Sequence, residues 1–134
     1  MTDFSCAISI LLPCSINEAF SLLTNPDKIE EWGGGESICE PKAGGKFMLF
    51  DGWVEGEVLI YEPNKTLSYT WVIEDWESSY KPSIVRYDFT DDNGSARIEL
   101  SHTNFPNQEE ATNHKEGWYD HVLNPIMDYL QDIK

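Results

Sequence analysis

The C-terminal run from about Gln108 to Ile133 constrains the fold most, because its spacing predicts one long helix. Trp118, Val122, Ile126, Leu130 and Ile133 recur at steps of four and three, which places them on one stripe. Asp120, Asn124, Asp128 and Gln131 fall mainly on the wet side. Such a helix reaches roughly 39 Å, enough to cross a small domain. A single apolar stripe must lie on another layer. Pro125 removes the bond to the carbonyl of His121, a loss of about 3 kcal/mol unless the kink is useful. A bend is expected there; the alternative is two pieces broken near Thr112-Asn113.

The chain before that helix supplies the layer. Phe4 to Leu12 alternates, with Phe4, Cys6, Ile8, Ile10 and Leu12 on one face, so it reads as a half-buried strand. Ser15 and Glu18 stand at capping-box spacing before a short helix carrying Ile16, Ala19, Phe20 and Leu23. Asn25-Pro26 opens a second short helix that turns Ile29 and Trp32 inward. Gly33-Gly34-Gly35 stops it, and neither GK[ST] nor GxGxxG follows, so it is no phosphate loop. From Ser37 onward the period is two. Lys46–Phe50 and Trp53–Tyr61 flank Asp51-Gly52, a two-residue hairpin signal, and Asn93-Gly94 is another. Gly56 inside a strand suggests a bulge or sharp bend. Leu67, Tyr69, Trp71 and Ile73 share a face; so do Val85, Tyr87 and Phe89, and Ala96, Ile98, Leu100 and His102. Trp76 to Pro82 is a longer acidic and aromatic connection, and Asn107 caps the last helix. Clustered strands with segregated helices argue α+β rather than a parallel sheet.

The totals set outer bounds. A chain of 134 residues is expected to form one domain over 1–134. The net charge of −15 argues against nucleic acid and anionic membrane surfaces. No run of about eighteen apolar residues is present, so no membrane span is expected. The start lacks a basic segment followed by an apolar one, so no signal peptide is expected. Cys6, Cys14 and Cys39 are odd in number and widely spaced, which reads as free thiols in a reducing cytoplasm.

Several short segments, in order, resemble a known family. They are Ala19-Phe20 with Asn25-Pro26-Asp27 and Trp32; Ala43-Gly44-Gly45-Lys46-Phe47; Gly56-Glu57-Val58 with Tyr61-Glu62-Pro63; Leu67-Ser68-Tyr69-Thr70-Trp71; and His114-Lys115-Glu116-Gly117-Trp118. Together they resemble the START-like (SRPBCC, helix-grip) superfamily and, within it, the activator-of-heat-shock-ATPase-like group. The resemblance implies a curved antiparallel sheet of about six to seven strands wrapped around the C-terminal helix, with two short helices after the first strand. It implies a small apolar or lipid-like ligand in a cavity between sheet and helix. It also implies a chaperone as a protein partner, and in a minority of members a cyclase-type enzyme.

The candidate ligand-binding residues are Tyr69, Trp71, Tyr87, His102 and Trp118. Tyr69, Trp71 and Tyr87 are inward aromatics of the strands, joined by Trp118 from the helix. His102 continues an inward strand face, either as a contact to a ligand or as a hydrogen-bonded core histidine. Trp53 and Trp76, near turns, form a rim or are partly buried. His114 and His121 are expected to be surface or structural, too far apart to share a metal. Glu30-Glu31, Asp91-Asp92 and Glu109-Glu110 read as solvated carboxylates. No catalytic constellation, metal site or cofactor is expected. Non-catalytic binding of a small hydrophobic molecule is the favoured function; a chaperone-binding domain and a cyclase-type enzyme are the alternatives.

Overall fold

Alternating side chains build one antiparallel sheet. The computed structural model describes residues 4–77 and 79–132. Strand β1 (Phe4–Leu12) is followed by helices α1 (Ile16–Thr24) and α2 (Pro26–Gly33). Strands β2 (Ile38–Cys39), β3 (Lys46–Leu49), β4 (Val54–Glu62), β5 (Thr66–Ile73), β6 (Ser83–Asp92) and β7 (Ser95–Phe105) come next. Helices α3 (Gln108–Trp118) and α4 (Asn124–Asp132) end the described chain, joined by a π-helical turn over Tyr119–Leu123. The sheet has seven strands in the order β1-β7-β6-β5-β4-β3-β2. This is the α+β helix-grip arrangement, with the first strand brought home beside the last.

Local chemistry places the short helices. The Ser15 hydroxyl accepts the backbone N–H of Glu18 at 3.1 Å. Asn25 closes α1 and caps α2, its side chain accepting from the Asp27 N–H at 3.0 Å. Each cap satisfies a donor the helix cannot. Trp32 turns inward, and its indole donates to the Leu22 carbonyl at 2.8 Å, tying α2 to α1.

The expected stripe of the C-terminal helix is buried at Trp118, Val122, Ile126 and Leu130. Ile133 lies outside the described residues. Full burial of each such aliphatic contributes about 1.5–3 kcal/mol. The irregularity does not break the run at Thr112-Asn113, which lies within α3. Instead the π turn sits immediately before Pro125, and the Asn124 N–H reaches back to the Tyr119 carbonyl. Pro125 has no hydrogen to donate to His121, and a wider turn gives its ring room. The wider turn also buries two neighbours in sequence, Val122 and Leu123.

One of the two hairpin readings holds and the other needs correction. Asn93-Gly94 is a two-residue hairpin, with both residues at positive φ between the paired Asp92 and Ser95. Asp51-Gly52 is not: Leu49 pairs with Val54, leaving a four-residue loop from Phe50 to Trp53. Phe50 and Asp51 both take positive φ. Tertiary bonds hold them there, because the Asp51 carboxylate accepts the Glu36 N–H at 2.6 Å and the Asp51 N–H donates to the Glu36 carbonyl. Gly56 marks a close approach rather than the bulge: a Cβ there would stand 1.8 Å from the Thr70 carbonyl oxygen. The register shift comes later, between Val58 and Ile60.

Candidate functional site

The interior between sheet and helix is filled. Phe47 stacks on Tyr69 with ring centroids 3.6 Å apart. The Tyr69 and Tyr87 hydroxyls hydrogen-bond to each other at 2.8 Å, satisfying two polar tips inside the core. Burial pushes both phenols above their ordinary range, so each stays neutral. A groove of about 310 Å³ opens where α3 and the π turn pass the end of the sheet.

The groove has aromatic walls. Trp71 and Ile73 come from β5, Phe50 and Trp53 from the loop before β4, and Trp76 from the connection after β5. Asn113, His114, Gly117, Trp118, His121 and Val122 face it from the helical run, with Glu110 and Asp75 at its edge. A second hollow, lined by Trp32, Gly33, Asp120 and Pro125, shares Phe50, Trp53 and His121 with the first. Trp71 and Trp118 meet with ring centroids 5.1 Å apart.

Hydrogen bonds fix the positions of these indoles. Trp118 Nε1 donates to Nδ1 of His102 at 3.0 Å. An indole only donates, so Nδ1 is the bare nitrogen and the ring hydrogen is on Nε2. Nε2 donates to the Ser83 hydroxyl at 2.7 Å, and that hydroxyl donates to the Trp71 carbonyl at 3.1 Å. His102 is fully buried, and burial with His114 nearby lowers its pKa well below the ordinary value of 6.5. It is neutral in the fold.

A second set of bonds holds the outer wall. Trp71 Nε1 donates to Nε2 of His114 at 3.2 Å, and His114 Nδ1 donates to the Glu110 carbonyl at 3.0 Å. Burial lowers the His114 pKa, offset in part by the Glu110 carbonyl and carboxylate. Trp76 Nε1 donates to Oε1 of the Glu110 carboxylate at 2.6 Å. Glu110 is thus half-buried and bonded, in contrast to its reading as one of a solvated pair.

Of the five residues expected at a site, Trp71 and Trp118 line the groove. Tyr69, Tyr87 and His102 lie behind it, where His102 bonds Trp118 and packs against the rings of Trp71 and His114. Phe50, Glu110, Asn113, Gly117 and His121 were not among the candidates, although they line the groove. The helical positions 110, 113, 114, 117 and 121 recur at steps of three and four, a signal hidden because only two are aromatic. Among the described residues, no cluster of His, Cys, Asp or Glu has the arrangement to hold a metal ion, and no helix is long and apolar enough to cross a membrane.

The model of the family described as Activator of Hsp90 ATPase homolog 1-like protein matches residues 13–131. The chain belongs to that family. The chain is 25% identical to an activator of 90 kDa heat shock protein ATPase homolog of Dictyostelium discoideum, over 84% of the chain and 29% of that protein. It is 26% identical to activator homolog 1 of Homo sapiens, over 84% of the chain and 32% of that protein. The chain therefore spans about a third of the length of these relatives. An HSP90 activator from Plasmodium falciparum superposes with a TM-score of 0.86 at 23% identity, covering 96% of each chain. That likeness establishes the helix-grip fold.

Proposed function

We propose that this domain binds a small apolar molecule, without catalysis, in the groove between the end of the sheet and the C-terminal helical run. The observation that carries the reading is the groove itself. Its volume of about 310 Å³ is at the lower end of small-molecule sites, and its lining is mostly aromatic. Trp71 and Trp118 are held by hydrogen bonds to the fold, so the walls are set before a ligand arrives.

The test uses protein purified from cells under gentle conditions and native mass spectrometry, followed by tryptophan fluorescence titration with the compound found. Gly117→Leu is the decisive variant. A Cβ built at Gly117 meets only the His121 ring, at an ordinary 3.8 Å, so a larger side chain enters the groove without striking backbone. The adduct should vanish in Gly117→Leu while the fold stays intact. An adduct that survives there would move the site elsewhere. A clean mass together with a flat thermal-shift screen of apolar compounds would sink the reading.

A second reading is association with a 90-kDa heat-shock chaperone, supported by the names of the relatives and by a charge of −15 that would steer toward a basic partner. It predicts a complex in sedimentation and a changed ATP turnover when the purified chaperone is mixed with this chain. No complex and no change would remove it. For either function we infer a reducing cytoplasmic setting, in keeping with the thiols of Cys6 and Cys39, whose pKa values are raised by burial.

A further inference from the structure

What the groove offers a ligand is asymmetric in charge. An indole can donate one hydrogen bond, and those of Trp71, Trp76 and Trp118 are already given to His114, Glu110 and His102. These three rings present π surface and no free donor. His114 is also engaged at both nitrogens, by Trp71 and by the Glu110 carbonyl. Acceptors remain. Glu110 uses Oε1 for Trp76, and its Oε2 has no protein partner among the described residues. Asp75 stands exposed at the edge, and Asp120 lines the adjoining hollow.

Counter-charges are missing from this inventory. Among the described residues that line the groove and the adjoining hollow there is no lysine or arginine. Trp53, Asn113 and His121 also line the groove and can donate hydrogen bonds, but an anionic head group would meet two carboxylates, no lysine or arginine, and a chain of charge −15. A cation would meet aromatic faces, which attract it through their quadrupoles, together with the Glu110 carboxylate. The groove is not a generic apolar hollow.

From this we infer that the groove selects a small organic cation, an aromatic or quaternary ammonium compound, over neutral and anionic molecules of the same size. The inference rests on the reading of the groove as a ligand site and adds the charge of what it takes.

The test titrates the intact protein with three probes: benzyltrimethylammonium, its uncharged carbon isostere neopentylbenzene, and the anion phenylacetate. The readout is the indole N–H resonances of Trp71, Trp76 and Trp118. The cation should bind roughly tenfold more tightly than the isostere, and the anion more weakly than either. In Glu110→Gln the amide oxygen can still accept from Trp76, so the fold is kept while the charge is removed. That variant should lose most of the tenfold preference and keep its affinity for the isostere. Glu116→Gln removes one charge from an exposed α3 position that does not line the groove, and should change neither.

Equal binding of cation and isostere would overturn the charge inference and leave the groove as an apolar site. Tighter binding of phenylacetate would overturn it too. If Glu116→Gln weakened the cation as much as Glu110→Gln, overall charge rather than the groove would be attracting it, and the inference would fall. If no probe moved the three indole resonances, the groove reading and the charge inference would fall together.

Discussion

The indole N–H of Trp118 donates to Nδ1 of His102 across 3.0 Å, so the C-terminal helix is bonded to the last strand inside the core. The bond does two things at once. It sets the tautomer of a buried histidine, and it fixes the indole that forms the inner wall of the groove.

Trp118→Phe should therefore cost more than its change in volume. The buried Nδ1 would lose its donor, a penalty of about 1–3 kcal/mol, with a cavity cost added. Urea unfolding should show a total loss of about 2–4 kcal/mol. An unchanged midpoint would mean that the bond contributes nothing to the stability of the core.

His102 also predicts how stability responds to acid. Its folded pKa lies well below the unfolded value of 6.5, so the unfolded chain takes up a proton that the folded chain refuses. The contribution is fully present above pH 6.5 and is lost as pH falls from there toward the folded pKa. The slope approaches about 1.4 kcal/mol per pH unit for one such group. His114, also lowered, acts in the same direction. His102→Phe should be less stable at pH 7.5 but should have a flatter profile between pH 6.5 and 5. Parallel profiles for wild type and variant would show that His102 does not carry the acid sensitivity.

Gly56→Ala tests the close approach of β4 to β5. The added methyl would lie 1.8 Å from the Thr70 carbonyl oxygen, against backbone that cannot swing aside. A loss of about 3 kcal/mol or more in chemical unfolding is expected, at or beyond the upper end of overpacking costs. A loss under about 1 kcal/mol would mean that β4 and β5 separate easily there.

Pro125→Ala tests what holds the π turn. If proline alone imposed it, alanine would stabilise the helix by about 3 kcal/mol. Packing is the stronger cause here, because Val122 and Leu123 are both buried. A change under about 1 kcal/mol is expected, with the Tyr119–Leu123 carbon chemical shifts unmoved. A gain near 3 kcal/mol would assign the turn to the proline.

Much of the fold was legible because it is written in short-range periodicity. Leu67, Tyr69, Trp71 and Ile73 alternate, and all four are buried. Ser15 and Asn25 carry cap chemistry, and both cap. The segments matched to the helix-grip superfamily spread over most of the chain, and the family match spans the same range. The Asp51-Gly52 turn departs from its local signal for a physical reason. Its geometry is set by Glu36, fifteen residues earlier, and no local pattern reports that bond.

By itself the sequence determined the order of elements, their apolar faces and the acidic character of the surface. These follow from which residues repeat every two or every three to four positions, and from a sum of charges. Only the tertiary structure decided that Tyr69 and Tyr87 close the core on each other while Trp53 and Trp76 open onto a groove. It also decided that Glu110 faces an indole rather than water. Whether an inward side chain meets a partner or a space depends on residues far away in the chain, as with Trp76 and Glu110, which are 34 residues apart. Periodicity assigns a face to each side chain but carries no information about what stands opposite it.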